Sequence, residues 1–258
     1  GIPLKCCLKA ACRLRARHFP WACVSSINRK ISALRKFYDY KIRENECDFN
    51  PFDYVKSQKT EKKLPIYMTS GELKKLYSLT ALKQSSNAFI SARDEAFFRF
   101  LYASGCRISE ALSIKVSDIS FAERQILITG KGNKQRYVFF GQNTADALAS
   151  YLPLRQETVS KFGTGCDALF IDYHGNVLTP RGASWILKQY KLAAGMDKNV
   201  TLHTFRHTFA THILESGADI RVVQELLGHA GLSTTQIYTH LTAKDLKEVH
   251  RKAHPRGE

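Results

Sequence analysis

Along most of this chain, apolar residues recur at helical spacing. Ile27, Ile31, Leu34, Phe37 and Tyr38 mark one face, while Arg29, Lys30, Arg35 and Lys36 fall on others. With Ser26 as a cap, this spacing predicts a helix that fades near Asn45, ahead of Pro51. Residues 56–65 are polar and cationic with few apolar anchors, as a linker should be. Thr69-Ser70-Gly71-Glu72 is a capping box opening a helix through about Leu79. The next helix runs from Ala88 to Ala103 and ends at Gly105, and a short helix follows over Ser109–Leu112. The period then changes. Gln125–Thr129 and Gln135–Phe140 read as strands of a hairpin turning at Gly130-Lys131-Gly132-Asn133. Further helices are expected at 144–152, 180–194, 203–216 and 219–227, the last two stopped by Gly217 and Gly228, with a short strand at 168–172. The fold class is mainly α with a small β-sheet or hairpin (α+β). It divides into a helical region over 1–55, a basic linker over 56–66 and a larger domain over 67–258.

Composition narrows the partner. Hydrophobic residues make up 44% and charged residues 24%, which argues against wholesale disorder. The strongest apolar run, Phe97 to Ala103, is broken by Arg99 and is far shorter than the roughly 20 residues of a membrane helix, so no membrane role is expected. A net charge of +16 and a sequence pI near 9.6 point to a polyanion. The first 63 residues carry 15 basic against 6 acidic side chains, the densest cationic stretch. Of the seven cysteines, four crowd before Val24, and none forms a C-x-x-C pair. Cys106 and Cys166 read as small core residues, and the reducing cytoplasm is the expected compartment. Residues 1–23 lack clean periodicity and a continuous apolar core, and begin with Gly. They read as an internal fragment or a misplaced boundary rather than a signal peptide.

Several short segments carry chemistry-bearing residues. His203 and Arg206 stand three apart on one helix, setting a proton carrier beside a permanent forked cation. That pairing suits a phosphoryl group, and a capping or solvated role is the alternative. His203 and His207 lack the acid that a zinc motif needs. Arg107 closes an apolar helix as a C-capping cation or serves as a second phosphate clamp, with Glu110 holding its neighbours. Lys131 sits in the hairpin turn, where the spacing of a nucleotide loop is absent. Gly228 puts His229 just past a helix, and Tyr238 follows nine residues later near a short helix beginning at Ser233.

Taken together, Gly105-Cys106-Arg107-Ile108-Ser109-Glu110-Ala111-Leu112, Gly130-Lys131-Gly132-Asn133-Lys134, His203-Thr204-Phe205-Arg206-His207, Leu227-Gly228-His229 and Tyr238-Thr239-His240 resemble the tyrosine recombinase (phage-integrase-type) family, nearest its Xer branch. The resemblance runs from about Ser25 to the C-terminus, the tail Ala253-His254-Pro255-Arg256 included. It implies a catalytic domain preceded by a core-binding helical domain, here shortened to little more than its last helix. It also implies site-specific breakage and rejoining of double-stranded DNA through a 3′-phosphotyrosyl intermediate, with no cofactor or metal. Tyr238 would be the nucleophile, Arg107 and Arg206 the phosphate clamps, and His203 the general acid/base. Lys131 would protonate the leaving 5′-oxygen, His229 would hydrogen-bond the phosphate, and Glu110 would order Arg107. Arg29, Lys30, Arg35, Lys36 and Lys134 would touch DNA. The helical segment and the catalytic domain would clamp the duplex, and the tail from 239 would dock on a neighbouring protomer in a homo- or hetero-tetramer with a paralogue. A role in chromosome or plasmid dimer resolution in the cytoplasm, at the nucleoid, is the leading expectation. A DNA-binding remnant, a mobile-element integrase and a relaxing topoisomerase are the alternatives.

Overall fold

The computed structural model describes residues 24–58, 66–82, 87–130, 135–196, 198–228 and 243–255. Two compact units divide between Leu64 and Pro65, inside the expected linker.

In the first unit, α1 (Val24–Arg43) buries Ile27 and Ile31, as the apolar spacing predicts. Residues after α1 fold back along it. The Asn28 side-chain amide donates to the Gln58 carbonyl and accepts from the Gln58 N–H, at 2.8 and 2.9 Å. Asn50 donates to the Arg35 carbonyl and to Asp39 Oδ1. Phe52, fully buried, lies against Tyr38.

In the second unit, α2 (Ser70–Leu82) opens on the capping box predicted for it. Glu72 accepts from the Thr69 N–H at 2.7 Å and Thr69 Oγ1 accepts from the Glu72 N–H. At the centre stands α3 (Ala88–Ser104), capped by the Asn87 side chain and buried on nearly every face from Ala96 onward. Its aromatics set the core: Phe98 stacks on Phe205 with ring planes 6° apart, and Phe97 meets Phe170 edge-on. A short α4 (Ile108–Ser113) and a 3₁₀ turn (Val116–Asp118) lead into an antiparallel sheet of β1 (Ile119–Ser120), β2 (Gln125–Thr129) and β3 (Gln135–Phe139). Ile126 faces Val138 and Ile128 faces Arg136 across the β2–β3 pair. The period-2 pattern turns Ile126, Ile128 and Val138 into the core.

Helix α5 (Gln142–Phe162) passes through Pro153 and ends ten residues later than the sequence pattern predicts. Proline removes one donor, but Pro153 and Ala149, whose carbonyl would have received it, both lie on the exposed face. On the inner face, buried Arg155 donates to the carbonyls of Ala168 and Cys166, and this compensates by tying the helix to the next loop. The strand expected at 168–172 is reduced to isolated bridges, Lys115 with Ala168 and Ile171 with Val177. Then come α6 (Pro180–Ala194), α7 (Leu202–Glu215) and α8 (Ile220–Leu227), within a residue or so of their predicted spans.

The last described element, α9 (Ala243–Ala253), packs against α7, α8 and β3 of its own unit. Ala253, Leu246 and Val249 join a second apolar cluster with Phe139, Phe209, Ile213, Val222, Val223, Leu226 and Leu227. Within this one chain, Leu246 and Val249 are partly buried against that cluster.

Candidate active site

Gly105 ends α3 in the left-handed conformation (φ +57°), and a Cβ there would come within 2.5 Å of the Phe209 ring. Glycine is therefore required twice, for the backbone and for the close approach. The next turn brings out Arg107, which is the N-cap of α4 and not a C-capping cation. The correction follows from Glu110, the third residue of α4. Its carboxylate reaches back to accept from the Arg107 N–H at 2.8 Å and from Arg107 Nη1 at 2.8 Å. The helix start and the arginine are thus fixed by one acid.

The same acid meets a residue that the sequence reading did not single out. Arg136, on β3, donates from both terminal nitrogens to the two Glu110 oxygens at 3.1 and 3.0 Å. Its Nε also donates to the Leu226 carbonyl at 3.4 Å. A signal for it existed. Val138 is an inward position of β3, so Arg136, two residues before, must also face inward and needs a carboxylate there.

Arg206, on α7, is buried and forks between two main-chain carbonyls. Nη1 donates to Gly105 at 2.9 Å and Nη2 to Leu227 at 2.6 Å. These carbonyls close α3 and α8, so the cation sits at the negative ends of two helices. Segments 101 residues apart in the chain meet at this one side chain. His203, one turn before Arg206, is exposed, with its ring edge-on to His207 at 4.5 Å.

The electrostatics follow from three guanidiniums around one carboxylate. Burial opposes ionisation of Glu110, but the hydrogen bonds and charge of Arg136 and the bonds from Arg107 outweigh it and hold the carboxyl down at about 2. Burial, together with the charges of Arg107 and Arg136, brings Arg206 down to about 10, where it is still a cation at neutral pH. Partial burial, then His207, Arg206 and Arg107, push His203 below the usual imidazole range. A neutral imidazole accepts a proton, as a general base must. Cys106, next to Arg107 in the chain, is fully buried and its thiol is pushed up to about 11, which keeps it inert. The assembled group has more cations than anions and is fixed in place before any ligand arrives. An oxyanion suits it.

Arg107, Glu110 and Arg206 are therefore brought together, with His203 near them in electrostatic terms. Lys131, Lys134, His229 and Tyr238 lie outside the described residues, as do residues 1–23. In the first unit, Arg29, Lys30 and Lys36 are exposed on α1. Arg35 differs: it is half-buried and donates to the carbonyls of Phe52 at 3.0 Å and of Val55. Its guanidinium holds the returning segment. Among the described residues, no helix is long and apolar enough to cross a membrane.

The family model described as phage integrase family matches residues 67–245. A tyrosine recombinase XerC of Anoxybacillus flavithermus is 47% identical over 233 residues, covering 90% of this chain and 76% of its own length. A tyrosine recombinase XerD of Oceanobacillus iheyensis is 40% identical over 233 residues, covering 90% and 77%. Among solved structures, the XerH site-specific recombinase in a post-cleavage complex with palindromic difH DNA superposes with a TM-score of 0.72. It is 26% identical, covering 94% of this chain and 70% of that one. The XerA recombinase superposes at 0.57, with 30% identity and 96% and 82% covered. With this fold, this cationic centre and these relatives, the chain belongs to the phage integrase family, as a Xer-like tyrosine recombinase that cleaves and rejoins DNA.

Proposed function

We propose that the reaction runs through Tyr238 at the centre built by Arg107 and Arg206. The tyrosine oxygen attacks the scissile phosphorus, a bond forms to it, and the bond from phosphorus to the 5′-oxygen breaks. His203 takes the phenol proton and Lys131 gives a proton to the departing 5′-oxygen, leaving a 3′-phosphotyrosyl link and a free 5′-hydroxyl. Arg107 and Arg206 neutralise the non-bridging oxygens, where charge grows in the crowded transition state. His229 adds a hydrogen bond to the same phosphate. Reversal by the 5′-hydroxyl of another strand conserves the phosphodiester energy, so exchange is close to isoenergetic.

The observation that carries this reading is the excess of fixed cations around Glu110, with Arg206 placed by two backbone carbonyls. Arg29, Lys30 and Lys36 would grip phosphates without reading sequence, and Lys134 would do so beside Lys131. Relatives named both XerC and XerD support a tetramer of paired paralogues on two sites, serving chromosome or plasmid dimer resolution in the cytoplasm, at the nucleoid.

The test starts from duplexes selected out of a random-sequence pool by binding to this protein. A nicked suicide version of a selected duplex should trap a covalent protein–DNA adduct on denaturing gels. Tyr238→Phe should bind the same duplex and give none. Tight, selective binding without any adduct in the wild type overturns the reading.

A further inference from the structure

We infer that Arg136 is a positioning residue of the strand-cleavage reaction: it saturates Glu110 so that Arg107 keeps most of its guanidinium turned outward. The inference rests on the proposed reading of Arg107 as a phosphate clamp.

The geometry divides the two arginines. Arg136 faces Glu110 with both terminal nitrogens, the bidentate arrangement in which a guanidinium and a carboxylate fit best. Arg107 lends the same acid a single terminal nitrogen and its backbone N–H. Exposure follows the same division: the Arg107 side chain is 39% exposed and the Arg136 side chain 16%, over a Glu110 side chain at 5%. One arginine is therefore free to meet a ligand and the other is sunk behind it. Without Arg136, a carboxylate this deeply buried would keep Arg107 as its one hydrogen-bonded cation among the described residues, with Arg206 held away on two carbonyls. The favoured response is for Arg107 to swing its whole fork onto Glu110, away from any phosphate.

A second set of contacts makes Arg136 a strut and not only a counter-charge. Its Nε reaches the Leu226 carbonyl near the end of α8, and the next carbonyl, of Leu227, is the one held by Arg206. Gly228, left-handed at φ +64°, closes that helix against the Arg136 stem: a Cβ there would lie 3.0 Å from Cδ and Nε. The residue thus ties the N-terminus of α4, which carries Arg107, to the C-terminus of α8, which ends two residues before His229 in the chain. Lysine has no fork and cannot span both Glu110 oxygens and the α8 end together.

The experiment compares wild type, Arg136→Lys, Arg136→Gln and Arg107→Ala on a nicked suicide duplex under single-turnover conditions with saturating protein, each assayed well below its melting temperature. Arg136→Lys, which keeps charge and stem, guards against simple misfolding. Expected is a fall in the covalent-adduct rate of at least tenfold for Arg136→Lys and about 10²-fold for Arg136→Gln, the loss typical of one misplaced oxyanion donor. DNA affinity should stay within about threefold of wild type, because Arg136 spends both terminal nitrogens on Glu110 rather than on a phosphate. A crystal structure of Arg136→Gln should show Arg107 bidentate on Glu110. A wild-type rate in Arg136→Lys, a loss confined to DNA affinity, or an unmoved Arg107 in Arg136→Gln each overturns the inference. The structural readout needs no activity. If instead Arg107→Ala cleaves like wild type, the clamp reading of Arg107 fails, and this outcome is separable from failure of the brace.

Discussion

His250 donates from Nε2 to the carbonyl of Ala103 at 2.7 Å, joining α9 to the last turn of α3 across 147 residues of sequence. A carbonyl only accepts, so this bond fixes the imidazole as the Nε2–H tautomer. The ring is fully buried, stacked on His254 with planes 8° apart and packed against Phe139 and Phe209. Burial brings its pKa down to about 4, against the mild opposing pull of the Ala103 carbonyl.

This makes tail docking pH-sensitive with a definite sign. Between about 4 and the ordinary imidazole value near 6.5, undocked His250 binds a proton that docked His250 refuses. Docking is therefore fully favoured above about pH 6.5 and weakens as pH falls toward 4, by up to something on the order of 3 kcal/mol. Hydrogen exchange over residues 243–255, corrected for its intrinsic pH dependence, should accelerate on going from pH 7.5 to 5. His250→Gln should flatten most of that response, and a pH-independent exchange rate in the wild type would contradict it.

Gly105→Ala should be costly well out of proportion to one methyl group. The backbone there is left-handed, and the new Cβ would press into the Phe209 ring at 2.5 Å. The expected destabilisation is about 2–4 kcal/mol in urea unfolding. Strand cleavage should fall with it even where the protein stays folded, because the Gly105 carbonyl holds Arg206.

Glu110→Gln tests the acid that serves two arginines. An amide offers one acceptor oxygen where the carboxylate offers two, and turns an N–H toward a guanidinium. A loss of about 2–3 kcal/mol is expected, since Glu110 is buried while Arg107 is partly exposed. Because the Glu110 pKa is depressed to about 2, its contribution is present above about pH 4.5 and lost as pH falls toward 2. The stability gap between wild type and variant should close over that window in acid-titrated denaturation curves.

Three guanidiniums around one carboxylate should also bind a simple anion. Inorganic phosphate at roughly ten times its dissociation constant should raise the melting temperature by about 2–4 °C beyond a chloride control of equal ionic strength. Arg107→Gln should lose most of that increment. Equal shifts in both proteins would mean that the anion acts elsewhere.

Much of this architecture is readable from local pattern. Helix spans such as Pro180–Ala194 and strand Gln125–Thr129 follow from period and from capping residues, which are nearest-neighbour effects. The continuation of α5 past 152 and through Pro153 is not legible locally, because what a proline costs depends on which side of the helix meets water, a fact of tertiary placement. Arg107 and Arg206 could be named from their motifs. The inward turn of Arg35, and the link of Arg136 to Glu110, arise only when segments 17 to 26 residues apart come together. Local pattern leaves Arg107 open between a C-capping cation and a phosphate clamp; that it begins α4 depends on the reach of Glu110.

The two carbonyls that hold Arg206 carry an evolutionary consequence. Every amino acid has a carbonyl, so substitutions at Leu227 leave that anchor chemically intact. What the anchor cannot survive is a change of count. Adding or deleting one residue in α3 or α8 turns the terminal carbonyl by about 100° around the helix axis and carries it away from the guanidinium. The lineage of such a centre is thus expected to tolerate replacement of residues in α8 while holding the lengths of α3 and α8 constant.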